Sequence, residues 1–222
     1  GLAGALIFSL NYAAGKTSGA VLDTLSAVYF YLFEKPLFIL WANKNSAKDL
    51  GLPCVNPFTE LEVIPNGDCY LCCTGWLPVS VGNAGKNSIK NIFNSVKAQK
   101  VRISLYKGSL KYCRKDLCNY INSQNPKNIG REELSRADYV PENVKRSISG
   151  RELVFETGPS RMTELVSDFC NLKCVFCRTD HHAGEKKIND IFYGYINDNA
   201  PNIKLLNFCG GEPLINPRVR EL

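Results

Sequence analysis

An α/β fold, in which a small cysteine-rich α+β module precedes a βαβ unit, follows from three patterns in the chain. Near the C-terminus, a run of strand character at 162–169 and a short apolar strand at 203–208 flank Ile188, Ile191, Phe192, Tyr195 and Ile196. Those five recur at i, i+3, i+4, i+7 and i+8, the mark of an amphipathic helix. Strand, loop, helix and strand within about 45 residues make a βαβ unit, normally right-handed with parallel strands. Further upstream, Leu61-Glu62-Val63-Ile64 alternates like a strand, Asn66-Gly67 is a tight-turn signal, and Cys69-Tyr70-Leu71-Cys72 is the returning strand. Finally, the chain has ten cysteines, eight of them at 69, 72, 73, 113, 118, 170, 174 and 177 in three tight groups. Such groups look like ligand sets rather than a disulfide framework, which implies a reducing, cytoplasmic setting.

With 222 residues, the chain has material for one large domain or two smaller ones. Its hydrophobic content of 45% and charged content of 22% are those of a soluble globular protein. A net charge of +6 without a long basic run or basic face falls short of a nucleic-acid footprint. The start and end of the sequence read as those of an internal fragment.

Residues 1–53 form an apolar lead-in, expected to be the tail of a preceding domain with packing as its only role. Leu2, Leu6, Ile7 and Leu10 have helical spacing, as do Leu22, Leu25, Val28, Tyr29 and Leu32. Pro36 is expected to end that pattern, leaving Phe38 to Trp41 as a short strand or buried turn. Lys16, Asp23 and the Glu34-Lys35 pair interrupt the apolar run before it reaches the ~18–20 residues a membrane span needs, so no membrane is expected. A basic leader and a cleavage site are missing, which argues against a signal peptide. Gly15-Lys16-Thr17 has the ending of a phosphate-binding loop, but Leu10 stands where that motif needs its first glycine.

Residues 54–122 are the cysteine module. After the hairpin, two helical pieces carry Ile89, Ile92, Phe93 and Val96 on one face, and Gly108 stops the second. Cys113 and Cys118 follow. The hairpin sets Cys72 near the chain that left Cys54. A four-cysteine set of this kind suits zinc as well as an iron–sulfur cluster, because both take thiolates. Lys107, Lys111, Arg114 and Lys115 surround the later pair, either offsetting cluster charge or forming a solvated face. Residues 123–160 read as a linker with one short helix from Pro141.

The stretch from 161 onward carries the sharpest motif. Cys170, Cys174 and Cys177 stand at C-x-x-x-C-x-x-C spacing with Phe176 before the last, directly after a predicted strand. A short loop can turn three thiolates toward one centre, and three ligands leave one iron of a cluster open. A zinc knuckle or three unrelated thiols are the alternatives. After the second strand comes Cys209-Gly210-Gly211-Glu212-Pro213. Two glycines let backbone approach a ligand, and Glu212 can accept from an ammonium group. Cys209 is expected to pack under the sheet. His181 and His182 read as exposed loop residues.

The three-cysteine loop resembles the cluster-binding loop of radical S-adenosylmethionine (SAM) enzymes, and Gly210-Gly211-Glu212-Pro213 resembles their SAM-binding segment. Cys54, Gly67 and Cys72, at twelve- and four-residue gaps, resemble the opening of SPASM and twitch modules, the auxiliary-cluster domains of many such enzymes. The resemblance implies residues 161–222 as the truncated start of a partial (β/α)6 TIM-like barrel. It implies a 4Fe–4S cluster on Cys170, Cys174 and Cys177, with SAM on the open iron and near Phe176, Gly210, Gly211, Glu212 and Pro213. It also implies an auxiliary 4Fe–4S cluster on Cys54, Cys72, Cys113 and Cys118, with Cys69 and Cys73 surplus. The implied activity is reductive SAM cleavage to a 5′-deoxyadenosyl radical, fed by a low-potential electron donor. Peptides or proteins are the leading substrates, and small molecules remain open. With only two of six expected strands, the 222-residue chain itself is expected to be inactive. The module order departs from the family, whose auxiliary module commonly follows the barrel; a tandem protein would account for it. The competing reading is a non-enzymatic iron–sulfur electron-transfer or zinc-binding module.

Overall fold

The computed structural model describes residues 19–46, 48–122, 131–165, 171, 175, 186–209 and 211–221. The chain divides into two compact units, residues 1–47 and 48–222.

Within the first unit, α1 (Gly19–Tyr29) runs through a π-helical turn (Phe30–Glu34) into α2 (Lys35–Lys44). Pro36 therefore does not end the helix, and Phe38 to Trp41 is helical rather than extended. Proline lacks an N–H, and its ring clashes with the carbonyl four residues back in a regular helix. The wider π turn just before it changes the hydrogen-bond register there, so the helix continues. Phe30 and Phe38 are buried, while Leu32, Leu37 and Leu40 are each more than 60% exposed. By length and composition alone, Leu22–Lys44 is long and apolar enough to cross a membrane. Its Glu34 and Lys35 lie mid-helix, where charge is costly in lipid.

The second unit is built on one five-stranded sheet in the order β3-β2-β1-β4-β5. The short helix α3 (Asn56–Thr59) delivers the chain into β1 (Glu60–Val63), and β2 (Asp68–Tyr70) returns antiparallel with Glu62 opposite Tyr70. The turn between them needs Gly67. Its φ is +85°, and an added Cβ would stand 2.7 Å from Ile188 Cδ1. β3 (Gly82–Asn83) extends the antiparallel side, where Asn83 Nδ2 donates to Asp68 Oδ1 at 2.9 Å. On the other side β1 pairs in parallel with β4 (Arg161–Glu164), which pairs in parallel with β5 (Leu205–Phe208). The predicted hairpin and the predicted βαβ strands thus share one sheet, joined by the pairing of β1 with β4.

Alternation along β1 and β4 sorts the two faces of the sheet. Leu61, Val63 and Met162 are fully buried. The crossover helix α9 (Lys186–Asn199) buries Ile188, Phe192, Tyr193 and Ile196, so Tyr193 replaces Ile191 and Tyr195 on the predicted stripe. The chain between β3 and β4 forms α4 (Ile89–Phe93), α5 (Val96–Tyr106), α6 (Asn119–Asn122), α7 (Arg131–Ser135) and α8 (Glu142–Ser149). Ser88 and Ser95 cap α4 and α5, accepting from the amides of Asn91 and Ala98. Residues 131–160, a linker by composition, contribute Leu134, Val144, Ile148 and Phe155 to the core.

Arg102 lies at the centre of that core with no solvent exposure. Its Nε donates to Pro57 O at 3.0 Å and its Nη1 to Leu153 O at 2.8 Å. The guanidinium sits 4.4 Å from the Phe93 ring and 4.7 Å from the Phe155 ring. Burial draws its pKa down to about 9, which leaves it charged at neutral pH.

Glu164 is buried on the α9 face, where Tyr193 Oη donates to its Oε1 at 2.7 Å. Burial raises its pKa above 4.5, against the opposing effect of the Tyr193 hydrogen bond. A carboxyl raised in the folded state contributes stability that is present below its unfolded pKa and lost as pH rises through the folded value. Thermal melts of wild type and Glu164→Gln across acidic pH should therefore diverge. The wild type should lose stability relative to the variant as pH climbs from about 4.5, the unfolded glutamate value. Parallel melting curves at every pH would show that the carboxyl is not strained by burial.

Candidate metal centre

Three short pieces of chain bring the four predicted module cysteines to one place. Cys54 lies just ahead of α3, and Cys72 follows β2 by two residues. The later pair arrives after α5, where Gly108 and Leu110 take positive φ values of 66° and 49° and turn the chain back. Arg114 N then donates to Trp76 O at 2.7 Å, pinning the Cys113–Cys118 loop against the segment that follows Cys72. Cys118 N donates to Arg114 O at 3.0 Å and closes the turn.

Cys54, Cys72, Cys113 and Cys118 all line a single narrow cavity of about 10 Å³. Leu77, Leu105, Leu110 and Ile121 supply apolar walls. Trp76 and Tyr120 add an edge-to-face aromatic pair, with ring centroids 6.1 Å apart. The thiols influence one another electrostatically: Cys113 and Cys118 act on Cys54, Cys54 acts on Cys72, and Cys118 acts on Cys113. Burial pushes the Cys54 thiol up to about 12 and raises Cys72 and Cys113 as well. Neutral thiols are thus favoured until a metal ion displaces their protons and supplies the missing positive charge. An all-sulfur donor set in apolar walls fits an iron–sulfur cluster by its ligand chemistry, and it also fits zinc. Among the described residues, no three His, Cys, Asp or Glu side chains gather tightly enough to hold one metal ion.

The remaining cysteines are placed elsewhere. Cys69 is buried in β2 with its Sγ donating to Gly67 O at 3.4 Å, outside the cavity wall. Cys73 is half-buried and also off the wall. Cys209 is exposed at the end of β5 rather than packed under the sheet. Strand β5 is the edge of the sheet among the described residues, and the chain leaves it directly after Cys209. Lys107, Lys111, Arg114 and Lys115 are exposed, and Arg114 pairs with Asp116 at 2.9 Å.

Cys170, Cys174, Cys177, Phe176 and Gly210 lie outside the described residues, as do His181 and His182. Gly211, Glu212 and Pro213 follow β5 on the end of the sheet from which the chain also leaves β4, since the two strands are parallel. Cys209 N donates to Glu164 O at 2.8 Å across that end. Glu212 Oε1 accepts from Leu214 N at 3.2 Å and caps a 3-10 turn, Pro213–Ile215. Sequence reasoning missed Asn56, which is 8% exposed on the cavity wall with its Nδ2 3.7 Å from Cys72 Sγ. Its position two residues after Cys54 is the one local signal that could have found it.

Residues 54–119 match the SPASM family model, described as an iron–sulfur cluster-binding domain. All four cavity cysteines fall inside that span. No curated protein and no solved structure matches the chain.

Proposed function

We propose that the chain is part of a radical SAM enzyme that modifies a peptide or protein, with residues 54–119 holding an auxiliary 4Fe–4S cluster. The observation that carries the auxiliary site is the convergence of Cys54, Cys72, Cys113 and Cys118 on one apolar-walled cavity inside the matched span. A cluster bound there supplies one-electron chemistry at a site shielded from water. The chain's own part is to present four thiols from three separated segments, and to exclude solvent with Trp76, Tyr120 and the leucines. The match of residues 54–119 to an iron–sulfur cluster-binding domain favours a cluster over a single zinc ion.

The SAM-binding half of the proposal rests on Cys170, Cys174 and Cys177 as a second ligand set and on Gly210 to Pro213 beside it. Support comes from the parallel pairing of β4 and β5, so that Gly211 and Glu212 follow β5 at the same end of the sheet from which the chain leaves β4. Glu212 would accept from the ammonium group of SAM, and the glycines would let backbone approach it. A low-potential donor would supply electrons in the cytoplasm; no role for nucleic acid or membrane is proposed. The second reading, an iron–sulfur electron-transfer module without SAM chemistry, shares the auxiliary site.

Anaerobic reconstitution of the chain followed by iron, sulfide and zinc analysis tests the reading. Two cubes predict about eight iron and eight sulfide per chain, with an electron paramagnetic resonance signal that SAM perturbs. Bound zinc without labile sulfide would remove the iron–sulfur assignment. A cluster signal indifferent to SAM would leave the electron-transfer reading.

A further inference from the structure

A line of side-chain contacts leads out of the four-cysteine cavity to the sheet. Asn56 Nδ2 donates to Cys72 Sγ at 3.7 Å, and Asn56 Oδ1 accepts from Arg161 Nη1 at 3.3 Å. The amide is therefore held at both ends, its donor on a sulfur and its acceptor on a guanidinium. Arg161 opens β4 and stands opposite Glu60 in the parallel register. Its Nε is buried without a hydrogen-bond partner, and it joins no ion pair among the described residues.

This arrangement is not needed to shape the local turn. The backbone carbonyl of Asn56 already takes the α3 contacts, accepting from Glu60 N and from Thr59 Oγ1. The side chain amide is left to serve the sulfur of Cys72. A guanidinium bound to an amide oxygen polarises that amide and makes its N–H a stronger donor. Donors to ligand sulfurs, together with net charge, are among the features that set iron–sulfur potentials.

We infer that Arg161 and Asn56 form a relay that raises the reduction potential of the metal centre held by Cys72, and that it couples this centre to β4. The inference rests on the iron–sulfur reading above. Both residues are positioning residues: neither ligates, and each acts through Cys72. Reduction adds negative charge to the cluster, and a polarised N–H on its ligand sulfur stabilises that charge. Because Arg161 belongs to β4, a shift of that strand alters the donor on Cys72.

The test is a redox titration, followed by electron paramagnetic resonance, of the anaerobically reconstituted chain carrying C170A, C174A and C177A, so that one centre remains. Asn56→Leu removes the donor, and Asn56→Asp keeps the shape but offers only acceptors. Both should retain iron and sulfide while lowering the midpoint. Asn56→Leu should shift the reduction equilibrium about tenfold, about 59 mV for one electron, and Asn56→Asp further. Arg161→Met should shift it in the same direction, Arg161→Lys should restore most of it, and Arg161→Met in the Asn56→Leu background should add little. Should the Asn56 variants lose iron, the Arg161 pair still decides, since that residue touches no ligand. Unchanged midpoints with full iron would overturn the relay alone. So would an Arg161→Met shift of undiminished size in the Asn56→Leu background, which would mean a charge acting through space. A wild-type chain without labile sulfide would overturn both the relay and the reading beneath it.

Discussion

Arg102→Ala is expected to destabilise the second unit by about 3–5 kcal/mol, among the largest effects for any single replacement outside the cysteines. Two carbonyls, Pro57 O and Leu153 O, lose their donors in a buried setting. Leaving a buried acceptor unpaired costs about 1–3 kcal/mol each. The space between Phe93 and Phe155 also empties, and large-to-small replacements of similar size cost about 2–5 kcal/mol. Against these stands the relief of no longer burying a charge, which burial already penalises strongly enough to lower the arginine pKa. The sum falls short of the separate costs but leaves a large loss. At about 2–4 °C per kcal/mol for a chain of this size, the melting temperature should fall by about 6–20 °C. Arg102→Met, which keeps the stem, should lose less than Arg102→Ala. A melt within a degree of wild type for both would show that the carbonyls find other donors.

The second large effect concerns the metal. Replacing Cys113 or Cys118 by serine should abolish the auxiliary centre, cutting reconstituted iron from about eight to about four per chain. Each removes a soft thiolate, for which the hard hydroxyl is a poor substitute. Cys73→Ser is the matched control, because Cys73 is only half-buried and lies off the cavity wall. It should keep its iron. If Cys73→Ser loses iron while Cys113→Ser does not, the ligand set is wrong even though the domain match stands. Because burial holds Cys54 near 12 as a free thiol, metal loading releases protons, and loss of iron should accelerate as pH falls.

What could be read from the sequence was local. Asn66-Gly67 marked the hairpin because the turn demands a left-handed residue, and the structure has Gly67 at φ +85°. The α9 stripe was legible from its period, although the buried face is turned toward Tyr193. The four module cysteines were identifiable as a set by spacing and likeness. Three features were not foreseen. Parallel pairing of β1 with β4 joins residues about a hundred positions apart, and no period in either strand announces its partner. The π turn at Phe30–Glu34 let the helix pass Pro36. Arg102 occupies the i+4 position of the stripe that Ala98, Val101 and Leu105 define, so its placement was legible, but its charge argued for solvent. It is tolerated inside because backbone carbonyls and ring faces replace its water.

The position of β1 at the middle of the sheet has a consequence for dissecting the molecule. A strand with antiparallel and parallel neighbours has its hydrogen-bonding groups occupied on both sides. Excising residues 54–119 as an independent domain would strip away β4 and leave the buried strand β1 with one bare flank, the kind of template on which chains stack into aggregates. The same cut would remove Phe155 from Arg102 and Arg161 from Asn56. A soluble, loadable excision therefore has to begin at Lys48, where the compact unit begins, and to carry β4 and β5 with it.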